Sequence, residues 1–160
     1  MQTSKSTPLI YENVFGTSVT RGVSAAKRPV AVGCALFDEA YLNRIEDTTL
    51  YTGTKITIVV TLHEKTDGYS CKNPAYYPES TEKQPVDVYH RVEGGPWEKL
   101  FTVTTSVTSD HGTPAGCGAD KYYTLMAMGK HEFYAYYAGN AYLEGCKSKV
   151  AKSFAKCSAC

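Results

Sequence analysis

The apolar residues of this chain recur mostly at every second position. Lys55-Ile56-Thr57-Ile58-Val59-Val60-Thr61-Leu62 puts Ile56, Ile58, Val60 and Leu62 on one face and Lys55, Thr57 and Thr61 on the other. That is the two-residue period of a strand with one buried face. Val86 to Arg91 alternates again, Glu93-Gly94-Gly95-Pro96 reads as a turn, and Trp97 to Val103 returns as the hairpin partner. Residues 30–38 supply a first strand. Tyr122–Met128 and His131–Ala138 supply two more, joined at Gly129-Lys130, and the last runs from about Cys146 to Ala155. Residues 64–84 and 106–120 read as long loops, the second holding Cys117. Residues 39–47 read as a short helical turn with Leu42 and Ile45 on one side. No stretch carries a sustained 3.6-residue apolar stripe, so the expected fold is an all-β antiparallel sandwich.

Within 131–138, His131, Phe133, Ala135 and Tyr137 share one face, and Glu132, Tyr134 and Tyr136 the other. The first 45 residues differ in character. They read as an amino-terminal arm or extension with an extra strand, followed by the sandwich over 46–160. Leu9, Tyr11 and Val14 give the arm alternating apolar residues that a solvated tail does not need, and such a segment can add a strand to a neighbour's sheet edge.

At 160 residues the chain suffices for one domain with a real core. Its formal net charge of +1 argues against bulk nucleic-acid binding and against electrostatic attachment to an anionic membrane. The longest strongly apolar run, around Ile56–Val60, is too short to insert in a bilayer.

Six cysteines, Cys34, Cys71, Cys117, Cys146, Cys157 and Cys160, suggest an oxidised, extracellular protein with up to three disulfides. Fifteen pairings are open. A zinc site is the weaker reading, because the only CxxC (Cys157 to Cys160) stands at the chain end without a second knuckle. Residues 1–5 lack the apolar stretch of a secretory signal. That leaves a mature form with an added Met, a particle released by lysis such as a virion, or a cytosolic chain with free thiols.

Two segments carry a resemblance. Residues 86–105 read V-D-V-Y-H-R-V-E-G-G-P-W-E-K-L-F-T-V-T-T, and residues 129–148 read G-K-H-E-F-Y-A-Y-Y-A-G-N-A-Y-L-E-G-C-K-S. Over about residues 48–155 the chain resembles the immunoglobulin-like repeat domains of bacterial and archaeal surface proteins. Those carry a Y-R-x-x-G-G-x-W hairpin and close with G-x-Y-x-F-x-A-x-F-x-G-D-x-x-Y. The resemblance implies an immunoglobulin-like sandwich in an extracellular setting. One departure is His131, where the family has a Tyr whose hydroxyl ties down a corner. An imidazole can donate a similar bond.

No phosphate loop, nucleophile elbow, zinc-protease or EF-hand pattern is present. The reading is therefore non-enzymatic, with no catalytic residue, metal or cofactor. Thirteen tyrosines stand above background. Tyr122, Tyr134 and Tyr136, with Leu9, Tyr11 and Val14 of the arm, are the interface candidates. The expected role is a structural subunit of an extracellular assembly: a surface layer, a filament or a virion. Its partners are other copies or other surface or virion proteins. The alternative is a carbohydrate-binding or adhesion module that uses an exposed Tyr face on a polysaccharide.

Overall fold

The computed structural model describes residues 27–65, 71–107 and 116–157, and every regular element among them is a strand. In chain order these are β1 (Val30–Asp38), β2 (Thr49–Tyr51), β3 (Lys55–Glu64), β4 (Pro85–Val92), β5 (Glu98–Thr104), β6 (Gly116–Thr124), β7 (Gly129–Tyr137), β8 (Cys146–Lys147) and β9 (Ala151–Lys156). They form two sheets. The smaller has the order β1-β3-β6. The larger has the order β2-β9-β7-β4-β5, with β8 also paired to β7. The pairs are antiparallel except β2 with β9, which run parallel through Phe154 opposite Thr49 and Lys156 opposite Tyr51. The chain is thus an all-β sandwich, as its period-two pattern predicts.

The core lies where the two apolar faces meet. Leu36, Ile56, Ile58, Val60 and Leu62 come from the smaller sheet, and Val86, Val88, Phe133, Ala135 and Tyr137 from the larger. Ile56, Ile58, Val60, Leu62 and Phe133 are wholly buried. Each such side chain removed from water contributes about 1.5–3 kcal/mol, which turns alternation along a strand into a preferred register. Leu125 and Leu143 close the ends of this layer.

Several local expectations are corrected. Residues 39–47 form no helical turn. Asp38 accepts the Leu42 N–H at 2.8 Å and the Asn43 side-chain amide at 2.9 Å, which holds the backbone in a tight loop. Ile45 then turns inward and its N–H reaches the Leu36 carbonyl at 3.0 Å, while Leu42 stays outside. The second loop is shorter than expected, because Cys117 already lies in β6, opposite Leu62. The last strand is interrupted between β8 and β9. There the Ser148 hydroxyl accepts the Ala135 N–H at 2.9 Å, filling a place in the ladder with a side chain. The strand inside the 1–45 extension is built into the sandwich: β1 pairs with β3 from Val30 opposite Glu64 to Asp38 opposite Ile56. Leu9, Tyr11 and Val14 lie outside the described residues.

Candidate functional site

Strand alternation that sends Val86, Val88, Phe133 and Ala135 inward leaves Asp87, Tyr89 and Arg91 of β4 and Glu132, Tyr134 and Tyr136 of β7 on the outer face of the larger sheet. The register pairs them directly: Asp87 with Tyr136, Tyr89 with Tyr134, Arg91 with Glu132. Arg91 Nε lies 2.8 Å from Glu132 Oε1. Thr102 donates its hydroxyl to Asp87 at 2.6 Å.

The Tyr89 and Tyr134 rings are stacked, with centroids 5.1 Å apart and planes 9° from parallel. That separation is close to the spacing of neighbouring strands. The two rings therefore stand upright on the sheet, face against face, and turn their edges outward. Lys147 of β8 lies 5.2 Å from the centroid of the Tyr134 ring. Trp97 meets the same ring edge-on at 4.7 Å, and the Arg91 guanidinium lies 4.4 Å from the Trp97 ring centre. The aromatic π faces are thus occupied by one another and by cations. Loss of solvation, and then the neighbouring phenols of Tyr89 and Tyr136, raise the pKa of Tyr134.

Six cations belong to this face: Arg91, Lys99, Lys130, Lys147, Lys152 and Lys156, each on a strand position opposite another outward residue. Asp87 and Glu132 are the carboxylates at outward strand positions among them, Asp47 pairs with Lys152 at the margin, and Glu93 accepts the Lys130 N–H. The face is therefore net positive although the whole chain carries only +1, a segregation that net charge hides.

Of the sequence-predicted interface residues, Tyr134 and Tyr136 are brought together here. Tyr122 is not: it lies on β6, on the outer face of the smaller sheet, 57% exposed. There Lys55 sits 4.8 Å from its ring centre and pairs with Glu39 at 3.2 Å. A cavity of about 270 Å³ beside it is lined by Thr57, Asp120, Lys121 and Tyr122. Tyr89 and Trp97 are the contributors that sequence reasoning missed as interface residues. The signal was present at Tyr89, an outward position on an alternating strand.

The cysteines divide. Cys71 and Cys117 form a disulfide that ties the long β3–β4 loop to β6. Cys157 is also disulfide-bonded. Cys34 and Cys146, offered above as disulfide candidates, are free thiols. Each packs against the core from its strand, Cys34 on β1 and Cys146 on β8, and behaves as a small apolar side chain. Burial, reinforced by the Glu46 charge, pushes the Cys34 thiol up to about 12, so it is a poor nucleophile. Cys160 lies outside the described residues.

His90 and His131 form a histidine pair inside the sandwich, with ring nitrogens 2.9 Å apart. His131 is wholly buried and its Nε2 lies 2.7 Å from the Ala127 carbonyl, which matches the tying role expected of an imidazole at this place. Rings surround the pair: Phe133 lies 4.8 Å and Tyr123 5.0 Å from His90. No carboxylate is bonded to either ring among the described residues, and no group of three or more metal-ligating side chains occurs there. A scan against protein-family models and a search of curated proteins return no match to this chain.

Proposed function

We propose that this chain is a non-enzymatic building block of an extracellular assembly, an immunoglobulin-like sandwich that meets its partner through the outer face of the larger sheet. One observation carries the reading: Tyr89, Trp97, Tyr134 and Arg91 converge on that face in mutual contact. Tyr, Trp and Arg are the residue types that dominate the energetic centres of protein interfaces. Here they are held rigid by each other, so little side-chain entropy remains to be lost on docking. Disulfides at Cys71–Cys117 and Cys157 support an oxidising compartment.

The orientation of the rings decides between a protein partner and a polysaccharide. Sugar rings stack on open aromatic faces, and the upright, cation-covered rings of this site offer edges and hydroxyls instead. The protein partner is favoured. Sedimentation velocity of the full chain across a concentration series tests it. The full chain should form species larger than the monomer, and Trp97→Ala or Tyr134→Ala should weaken them. A chain that stays monomeric, yet binds a glycan on an array, would replace this reading with the adhesion alternative.

A further inference from the structure

We infer that the partner of this face is the segment Asp38–Asp47 of a second copy of the same chain, giving a head-to-tail contact. The inference rests on the assembly reading above and specifies its geometry.

The outer face of the larger sheet carries six cations, against Asp87 and Glu132 at its outward strand positions and Asp47 and Glu93 at its margins. Lys147 and Lys156 form no salt bridge with a described carboxylate; the first lies over the Tyr134 ring and the second over the Tyr51 ring, 4.9 Å from its centre, and both residues remain exposed. The segment between β1 and β2 has the opposite character. Asp38, Glu39, Glu46 and Asp47 stand against the single Arg44. The segment also holds the most exposed aliphatic residue among those described, Leu42, at 78%. Leu42 is not loosely placed. Its backbone N–H is fixed by Asp38, and the loop is anchored by Ile45 in the core and by Glu46, which accepts the Leu36 N–H at 2.9 Å. A fixed apolar side chain on an acidic segment matches a rigid aromatic patch that carries ammonium groups.

The chain already uses this chemistry at one margin. Asp47 pairs with Lys152 of the face at 3.5 Å within the same molecule, and Glu39 pairs with Lys55 at 3.2 Å. Both pairs are exposed and are readily exchanged for pairs with another copy. Because face and segment are different parts of one surface, the contact is heterologous. Each copy keeps one unused half, and the contact propagates into a chain or a ring.

Two variants test it. Lys147→Glu with Lys156→Glu spoils the face and leaves the segment intact. Glu39→Lys with Leu42→Lys spoils the segment and leaves the face intact. All four positions are exposed, and thermal melts verify that both variants fold. In low salt the wild-type chain should show concentration-dependent species by sedimentation velocity, with a dissociation constant that rises about tenfold or more on going to about 0.5 M salt. Each variant alone should remain monomeric over the same range. An equimolar mixture should form a heterodimer and nothing larger, since each variant brings only one competent half. If the wild type associates and the segment variant associates equally well, or if the mixture stays monomeric, this pairing is wrong while the assembly reading stands. If the wild type is monomeric throughout, both are wrong.

Discussion

In its neutral form His90 donates its Nε2–H to the Nδ1 of His131 across 2.9 Å, and the direction of that bond is set one residue further on. The Ala127 carbonyl only accepts, so His131 carries its proton on Nε2 and leaves Nδ1 bare. In this neutral arrangement both ring nitrogens at the contact are satisfied, among the packed rings of Tyr123 and Phe133. Burial, and then the proximity of His131, depress His90 to about 4 from its usual 6.5.

The sandwich should therefore be acid-sensitive in a defined window. Between pH 6.5 and about 4 the unfolded chain takes up a proton that folded His90 refuses, so stability is complete above 6.5 and falls as pH drops toward 4. His90 is only part-buried, so the loss is discounted for solvent screening to about 1–2 kcal/mol. Urea midpoints at pH 7.5 and 4.5 should show it, and His90→Gln should flatten the difference. A midpoint that does not move in the wild type would remove the pair from the pH response.

Phe133→Ala should cost about 3–5 kcal/mol, the range for deleting a buried Phe. Phe133 is wholly buried against both sheets, whereas Tyr136, two strand positions away from Tyr134 on the other face, is 38% exposed. Tyr136→Ala should cost under about 1 kcal/mol. Denaturant midpoints that shift equally for the two would contradict the register of β7.

The Cys71–Cys117 bridge closes a separation of 46 residues. On the chain-entropy account its removal by Cys71→Ala with Cys117→Ala should destabilise by up to about 4 kcal/mol. Thiol titration without reductant supplies a second check. Native protein should react slowly, because burial disfavours the Cys34 and Cys146 thiolates. Among the described cysteines, denatured protein should show two thiols, those of Cys34 and Cys146. Alkylation mapped to Cys71, Cys117 or Cys157 would mean that a bridge is missing.

Gly139 and Gly53 make a matched pair. Both have positive φ, 86° and 90°. A Cβ on Gly139 would sit 2.7 Å from the Gly145 nitrogen and 2.8 Å from the Leu143 carbonyl oxygen, both backbone atoms, whereas at Gly53 it would meet open space. Gly53→Ala should cost only the conformational strain, about 1 kcal/mol, and Gly139→Ala at least about twice that. Similar thermal shifts for the two would show that the 139–145 turn can open.

The strands with one apolar face were legible, since burial enforces a two-residue period on β3 and β7. The 39–47 loop was not. Leu42 and Ile45 are spaced like one side of a helix, but the Asp38 carboxylate captures the backbone first and sends the two side chains opposite ways. The free thiols of Cys34 and Cys146 were also hidden, because pairing depends on which strands become neighbours and not on cysteine number. Tyr134 was marked as outward by alternation alone. Its upright stance against Tyr89 was not readable, since it comes from a register that joins positions 45 residues apart.

The parallel pairing of β2 with β9 has a mechanical consequence. β9 is the last strand of the described chain and β2 the second; they run in the same direction, with rungs from Thr49 opposite Phe154 to Tyr51 opposite Lys156. The Thr52 N–H extends the ladder to the Lys156 carbonyl at 2.8 Å. Tension drawing the start of β2 away from the end of β9 loads such a pair lengthwise, so its hydrogen bonds share the force and yield together. An antiparallel terminal pair would instead peel open one rung at a time. The larger sheet is thereby clamped along the line from the start of β2 to the end of β9.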